Sequence, residues 1–167
     1  GEAATLLRRV AEVLSVAHQH GVIHRDIKPS NLFLRHGRLE ETTVLDFGVA
    51  RRGIAPQRLT RTGVVVGTPE YMAPEQARGL RDITYSADLF ALGCVAFEVL
   101  TGHQPFSAQH ITGLLTKILF EPAPRLRTIR PDLPLALDEL IAELLVKDPL
   151  RRPPSATLQA HAPRRQP

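Results

Sequence analysis

His24-Arg25-Asp26-Ile27-Lys28-Pro29-Ser30-Asn31 places a carboxylate, an ammonium and an amide within six residues, with a proline that stops any helix from running through them. Short apolar runs frame it, Val22-Ile23 before and Leu32-Phe33-Leu34 after. A turn at Arg35-His36-Gly37-Arg38 then leads into a β-rich run from Thr42 to Leu45. This pattern predicts small strands flanking a polar loop. Upstream, Leu6, Leu7, Val10, Val13, Leu14 and Ala17 recur at three- and four-residue steps, and Gly21 follows as a stop, which predicts an amphipathic helix from Ala3 to His20.

Downstream, Asp46-Phe47-Gly48 stands fifteen residues beyond Asn31, and Gly67-Thr68-Pro69-Glu70-Tyr71-Met72-Ala73-Pro74-Glu75 follows. Residues 46 to 75 carry little periodicity and several Gly, Thr and Pro residues, the mark of a long functional loop. From Thr84 to Leu100 the chain is apolar nearly all round, which predicts a core helix closed by Gly102. Two further amphipathic helices are predicted at Ala108 to Phe120 and Leu135 to Val146. Between them lies a connection rich in proline (Pro122, Pro124, Pro131, Pro134). A short last helix capped by Ser155 and a frayed tail at 161–167 complete the reading, with residues 1–160 as one domain.

The 167 residues are 43% apolar and carry a formal charge of +4, with Gly 11 and Pro 14, so a globular chain with a single core is expected. The arginines fall in scattered pairs (Arg8 and Arg9, Arg51 and Arg52, Arg151 and Arg152, Arg164 and Arg165) rather than in one stripe, which argues against a nucleic-acid footprint. Cys94 is the single cysteine, so no internal disulfide forms, and a reducing, cytoplasmic setting is expected. No apolar run approaches the length of a membrane span, so no membrane contact is expected from this segment. The chain opens on Gly1 and its one methionine is Met72, which reads as a piece cut from a longer protein.

The ordered set of three motifs resembles the eukaryotic-like (Hanks-type) protein kinases, most closely the bacterial receptor-type serine/threonine kinases. The resemblance runs from the helix before the catalytic loop to the last helix. It implies a mainly α (α+β) protein-kinase-like fold, the C-terminal lobe only, with a few short strands around the catalytic loop. By the same resemblance Asp26 accepts or orients the proton of the substrate hydroxyl, Lys28 steadies the transferring phosphoryl group, and Asn31 and Asp46 hold Mg²⁺, with Mn²⁺ as the alternative metal. ATP is the implied cofactor, with Lys28, Asn31, Phe33 and Asp46 around it and Phe33 as the floor under adenine. Thr68 takes the place of a threonine that bonds toward the catalytic Asp and Lys. Lys two places after that Asp resembles kinases acting on Ser and Thr of protein substrates.

Regulation is implied at Arg25, which in kinases of this pattern pairs with a phosphate on the activation loop. Thr60 and Thr62 are the candidate acceptors, with autophosphorylation expected at one or both. His24, Glu75, Asp88 and Arg152 take structural parts: Glu75 pairs with Arg152, and Asp88 anchors the backbone of the catalytic loop from inside the core.

The same resemblance exposes what these 167 residues lack. They contain no Gly-x-Gly-x-x-Gly loop and no strand lysine, and the only lysines are Lys28, Lys117 and Lys147. The missing partner is thus the N-terminal lobe of the kinase. Without it the expected transferase activity is negligible and the upper face around Phe33 is apolar surface facing water. Two other classes stand beside the kinase reading, a non-catalytic interaction module built from a truncated lobe and a small-molecule phosphotransferase. The first has no chemical need of Asp26, Lys28, Asn31 and Asp46, and the second does not resemble the Gly67 to Glu75 segment.

Overall fold

The computed structural model describes residues 1–47 and 69–154. Its first helix, α1 (Glu2–Gln19), buries Leu6, Val10 and Leu14 along one face, as the three- and four-residue spacing predicts. It ends in a left-handed Gly21 (φ 71°). The Gly21 N–H donates to the His18 carbonyl at 3.0 Å and the Val22 N–H to the Ala17 carbonyl at 2.9 Å, a Schellman closure that satisfies the carbonyls of the last turn. The chain leaves this cap directly into the polar loop.

Two antiparallel strands follow, β1 (Leu32–Leu34) and β2 (Thr42–Val44), with Leu32 opposite Val44 and Phe33 opposite Thr43. Thr42 and Val44 face the core, while Phe33 and Thr43 lie on the exposed face. Val22-Ile23, predicted as a further strand, forms none. The Val22 N–H is committed to α1 and the N–H of His24, two places on, to a carboxylate, so the segment enters no ladder.

After the undescribed stretch, a short helix α2 (Pro74–Ala77) leads to the core helix α3 (Ser86–Thr101). Every residue of α3 from Ser86 to Phe97 is buried, which is why its sequence is apolar on all sides. It closes on a left-handed Gly102 (φ 76°) whose N–H donates to the Glu98 carbonyl at 2.7 Å. Helices α4 (Ile111–Phe120), α5 (Leu126–Ile129) and α6 (Leu135–Leu144) complete the described part. The proline-rich connection thus holds a helical turn that periodicity did not reveal. It is pinned by Asp138 of α6, which accepts from the Arg125 side chain at 3.0 Å and from the Arg127 N–H at 3.2 Å.

Helix α3 packs against both α1 and α6. A Cβ at Gly93 would stand 2.9 Å from the Leu144 Cβ, so the close approach of α3 to α6 requires glycine there. Phe90 and Phe97 of α3 and Phe106 beyond it are fully buried at the centre. No described helix is long and apolar enough to cross a membrane. Ser155 and the tail at 161–167 lie outside the described residues.

Candidate active site

The loop between α1 and β1 is held from below by one carboxylate. Asp88, in the first turn of α3 and 1% exposed, accepts the His24 N–H on Oδ2 at 2.8 Å and the Arg25 N–H on Oδ1 at 2.7 Å. His18 of α1 donates its Nε2–H to the same Oδ2 at 2.8 Å, because a carboxylate offers only acceptors. Three donors on two oxygens repay the burial of that charge. The buried position expected of Asp88 is the one observed.

His24 is itself fully buried and completes the frame. Its Nε2–H donates to the Leu45 carbonyl at 2.7 Å, and its Nδ1 accepts the Asp26 N–H at 3.2 Å. These two bonds fix the tautomer. They also tie the loop to the segment after β2, and Phe47 packs edge-on against the His24 ring with centroids 4.9 Å apart. Arg25 adopts a left-handed backbone (φ 67°), as does Asp46 (φ 56°). Conformations of this kind, rare for residues with a Cβ, persist only where neighbours enforce them.

On this frame the polar heads gather. Lys28 Nζ lies 3.0 Å from Asp26 Oδ2. Asn31 Nδ2 donates to the Asp26 carbonyl at 2.7 Å and, at 3.4 Å, approaches Asp26 Oδ2. Asn31 is buried, whereas the Lys28 and Asp26 side chains keep 18% and 35% of their surface. Asp46 is reached through the backbone: the Leu45 N–H donates to the Asn31 carbonyl at 2.8 Å, and Asp46 follows with an exposed carboxylate that makes no direct bond to the other three. Phe33 stands on β1, 54% exposed. Asp26 therefore meets both Lys28 and Asn31, and Asp46 is tied to them only through the backbone bond between its neighbour Leu45 and Asn31. Thr60, Thr62, Thr68, Gly48 and Gly67 lie outside the described residues.

The second acidic anchor is closed. Both Glu75 oxygens are taken by the Arg152 fork, at 2.6 Å (Nη1 to Oε1) and 2.9 Å (Nη2 to Oε2). The remaining Arg152 donors go to the carbonyls of Val146, Ser86 and Lys147. The guanidinium carbon sits 4.9 Å from the centre of the Phe90 ring. Nearby, Tyr71 donates its hydroxyl to Glu98 at 2.6 Å; burial first, and that acceptor second, push its pKa up to about 12. Burial pushes the Cys94 thiol up as well, so it stays protonated and unreactive.

Two residues of this neighbourhood were not singled out in the sequence. His18 reads as one more residue of a helix end, and only the fold brings it to Asp88. Gln76 donates from Nε2 to the Arg25 carbonyl at 2.9 Å. It does carry a local signal: it stands three places after the N-cap Ala73, whose N–H it accepts at 3.0 Å, the glutamine half of a capping box.

Among the described residues no three His, Cys, Asp or Glu side chains cluster as a metal site. An oxygen set of one carboxylate and one amide nevertheless suits a hard divalent cation that takes its other ligands from phosphate and water. Asn31 fits this role, because its Nδ2 is committed to the Asp26 carbonyl and the amide oxygen is the atom left over.

Known proteins resemble this chain along most of its length. The chain is 40% identical over 151 residues to the serine/threonine-protein kinase Pkn1 of Myxococcus xanthus, an alignment covering 89% of this chain and 22% of the relative. It is 42% identical over 151 residues to the serine/threonine-protein kinase PknD of Mycobacterium tuberculosis, covering 90% of this chain and again 22% of the relative. The chain thus spans about a fifth of the length of these relatives. Among solved structures, that of Rad53 1-466 in complex with AMP-PNP superposes with a TM-score of 0.74 at 26% identity, covering 96% of this chain and 40% of that one. Residues 1–162 match the family described as protein kinase domain, a family that uses ATP and a divalent metal to modify protein substrates. With its buried Asp88 under the loop, its Glu75–Arg152 pair and that match along nearly its whole length, the chain belongs to the protein kinase family.

Proposed function

We propose that these residues form the phosphoryl-transfer side of a serine/threonine protein kinase, with the nucleotide gripped from above by an N-terminal lobe outside the 167 residues. The observation that carries this reading is the contact of three unlike polar heads on one loop: Asp26 with Lys28 at 3.0 Å and with the Asn31 amide at 2.7 Å through its carbonyl. The relatives' names as serine/threonine-protein kinases and the AMP-PNP bound to Rad53 support it from outside the chain.

Asp26 keeps an exposed carboxylate edge and acts as the group that orients the acceptor hydroxyl and receives its proton. Lys28 holds that carboxylate in place and puts a positive charge beside the site of transfer. Asn31 and Asp46 would hold the metal through oxygen, and Phe33 would lie under the nucleotide base. Bound Mg²⁺ and ATP supply the phosphoryl group and the charge that neutralises it. By the kinase resemblance Thr68 would bond toward Asp26 and Lys28, and Arg25 would receive a phosphate placed on Thr60 or Thr62. The domain spans residues 1–160. The protein substrates are read by their Ser or Thr hydroxyls. With one thiol and scattered arginines, a cytoplasmic setting without nucleic-acid or membrane contact of this segment fits best.

The test is Asp26→Asn in the full-length protein, assayed for Mg²⁺-dependent transfer from ATP to a Ser/Thr peptide. Loss of the proton acceptor is expected to lower kcat by about 10²- to 10⁴-fold. A variant that keeps wild-type turnover overturns the assignment.

A further inference from the structure

The peptide unit joining Arg25 to Asp26 is held at both ends. Its N–H, that of Asp26, donates to His24 Nδ1 at 3.2 Å, and its carbonyl, that of Arg25, accepts Gln76 Nε2–H at 2.9 Å. Just upstream, the Arg25 N–H is bound to Asp88. Arg25 sits at φ 67°, where an L-residue is held only by its surroundings. Of these restraints, the bonds to His24 and Asp88 come from below the loop and from the core. Gln76 comes from the opposite quarter, the helix α2 that closes the Gly67–Glu75 segment.

The orientation of the Gln76 amide is settled by its second bond. Oε1 accepts the Ala73 N–H at 3.0 Å, so Nε2 is the atom that must face the Arg25 carbonyl. The neighbouring Glu75 is clamped by Arg152, so α2 is a fixed platform and not a loose arm. We infer that Gln76 is a positioning residue. Through one amide it couples the end of the activation segment to the peptide plane from which Asp26 projects, and a change in that segment reaches Asp26 by rotating this plane. The inference rests on the kinase reading given above for Asp26, but the bond itself can be tested apart from catalysis.

The test uses two variants of the full-length protein. Gln76→Ala removes both bonds. Gln76→Glu keeps an oxygen for the Ala73 N–H but sets a second carboxylate oxygen against the Arg25 carbonyl, and only its protonated form can donate. Loss of one hydrogen bond in the transferring state is expected to lower kcat of Gln76→Ala about tenfold, with KM for ATP little changed. For Gln76→Glu, kcat is at least as low at neutral pH, because the ionised carboxylate has no hydrogen to donate to the Arg25 carbonyl. Hydrogen exchange at the Asp26 amide is expected to quicken in Gln76→Ala, whether or not the protein transfers phosphate.

Wild-type kcat in Gln76→Ala or in Gln76→Glu overturns the coupling. So does lowered kcat with unchanged exchange at Asp26, which would assign Gln76 to the stability of α2 alone. A wild-type protein without any transferase activity would instead sink the kinase reading, and the exchange measurement would still decide whether Gln76 holds this peptide plane.

Discussion

Glu75 and Asp26 are both carboxylates facing a basic side chain, and the two pairs are built in opposite ways. Glu75 and Arg152 keep 4% and 0% of their side-chain surface, with both oxygens matched to both arms of the fork and the other guanidinium donors on carbonyls. Asp26 keeps 35% of its side chain exposed and meets Lys28 through one oxygen only. A polar group whose bonds are all spent can only hold. One with acceptor capacity still open to solvent can act on something that arrives. The contrast separates anchor from instrument without reference to any relative.

If that distinction is right, the two regions should fail differently. Arg152→Met leaves Glu75 charged, buried and unpaired, and is expected to lower unfolding stability by about 3–5 kcal/mol. Replacing both partners, as in Glu75→Leu with Arg152→Met, is expected to recover much of that loss, because no orphaned charge remains. Asp26→Asn should leave the denaturation midpoint close to wild type while sharply lowering turnover, since a half-buried pair that solvent still reaches, joined through one oxygen, contributes about 0–1 kcal/mol. Denaturant melts of the three variants check this. A strongly destabilised Asp26→Asn would erase the contrast.

Asp88 tests the boundary between the two regions, because it is buried like Glu75 yet serves the loop that carries Asp26. Asp88→Asn puts an amide NH₂ where an oxygen now meets backbone N–H groups or His18. The expected loss is about 1–3 kcal/mol of stability for the unmatched donors, together with lowered kcat. Measuring both on one sample sharpens the comparison. Lost stability with untouched kcat would make Asp88 an anchor only.

Much of this was legible before the fold was known, and the reason lies in the range of the interactions. The helix periods of α1 and α3, their glycine stops and the strand alternation around Phe33 are local and appear in the sequence as spacing. The pairing of Glu75 with Arg152 joins residues far apart along the chain. It was readable only because the resemblance supplied the partner, and the pair observed is the one expected. His18 on Asp88 and Gln76 on the Arg25 carbonyl were not readable, since a helix-end histidine and a first-turn glutamine have ordinary local explanations. Val22-Ile23 misled for the opposite reason: two β-branched residues suit a strand, but the helix cap takes the Val22 N–H and Asp88 takes that of His24 just beyond them.

The smallest effect concerns a charge inside the closed region that has no carboxylate. Lys147 lies beside Arg152, but the fork has consumed Glu75. Its Nζ is left with the Lys117 carbonyl at 3.2 Å and the face of the Phe106 ring at 3.7 Å. Burial, before any charge effect, lowers its pKa from 10.5 to about 8. Above pH 8 the folded chain releases this proton while the unfolded chain keeps it up to its ordinary value, so stability should rise with pH across that window and be flat below it. Tyr71 acts the other way above pH 10, where its unfolded form ionises first, and Cys94 does so from about pH 9, because burial keeps its thiol protonated in the fold while the unfolded thiol ionises. Unfolding measured between pH 8 and pH 10 in a Cys94→Ala background therefore isolates the lysine, and Lys147→Met in that background should flatten the rise. An unflattened slope would mean that Lys147 is hydrated well enough to behave as an ordinary surface charge, and that the closed region ends at Arg152.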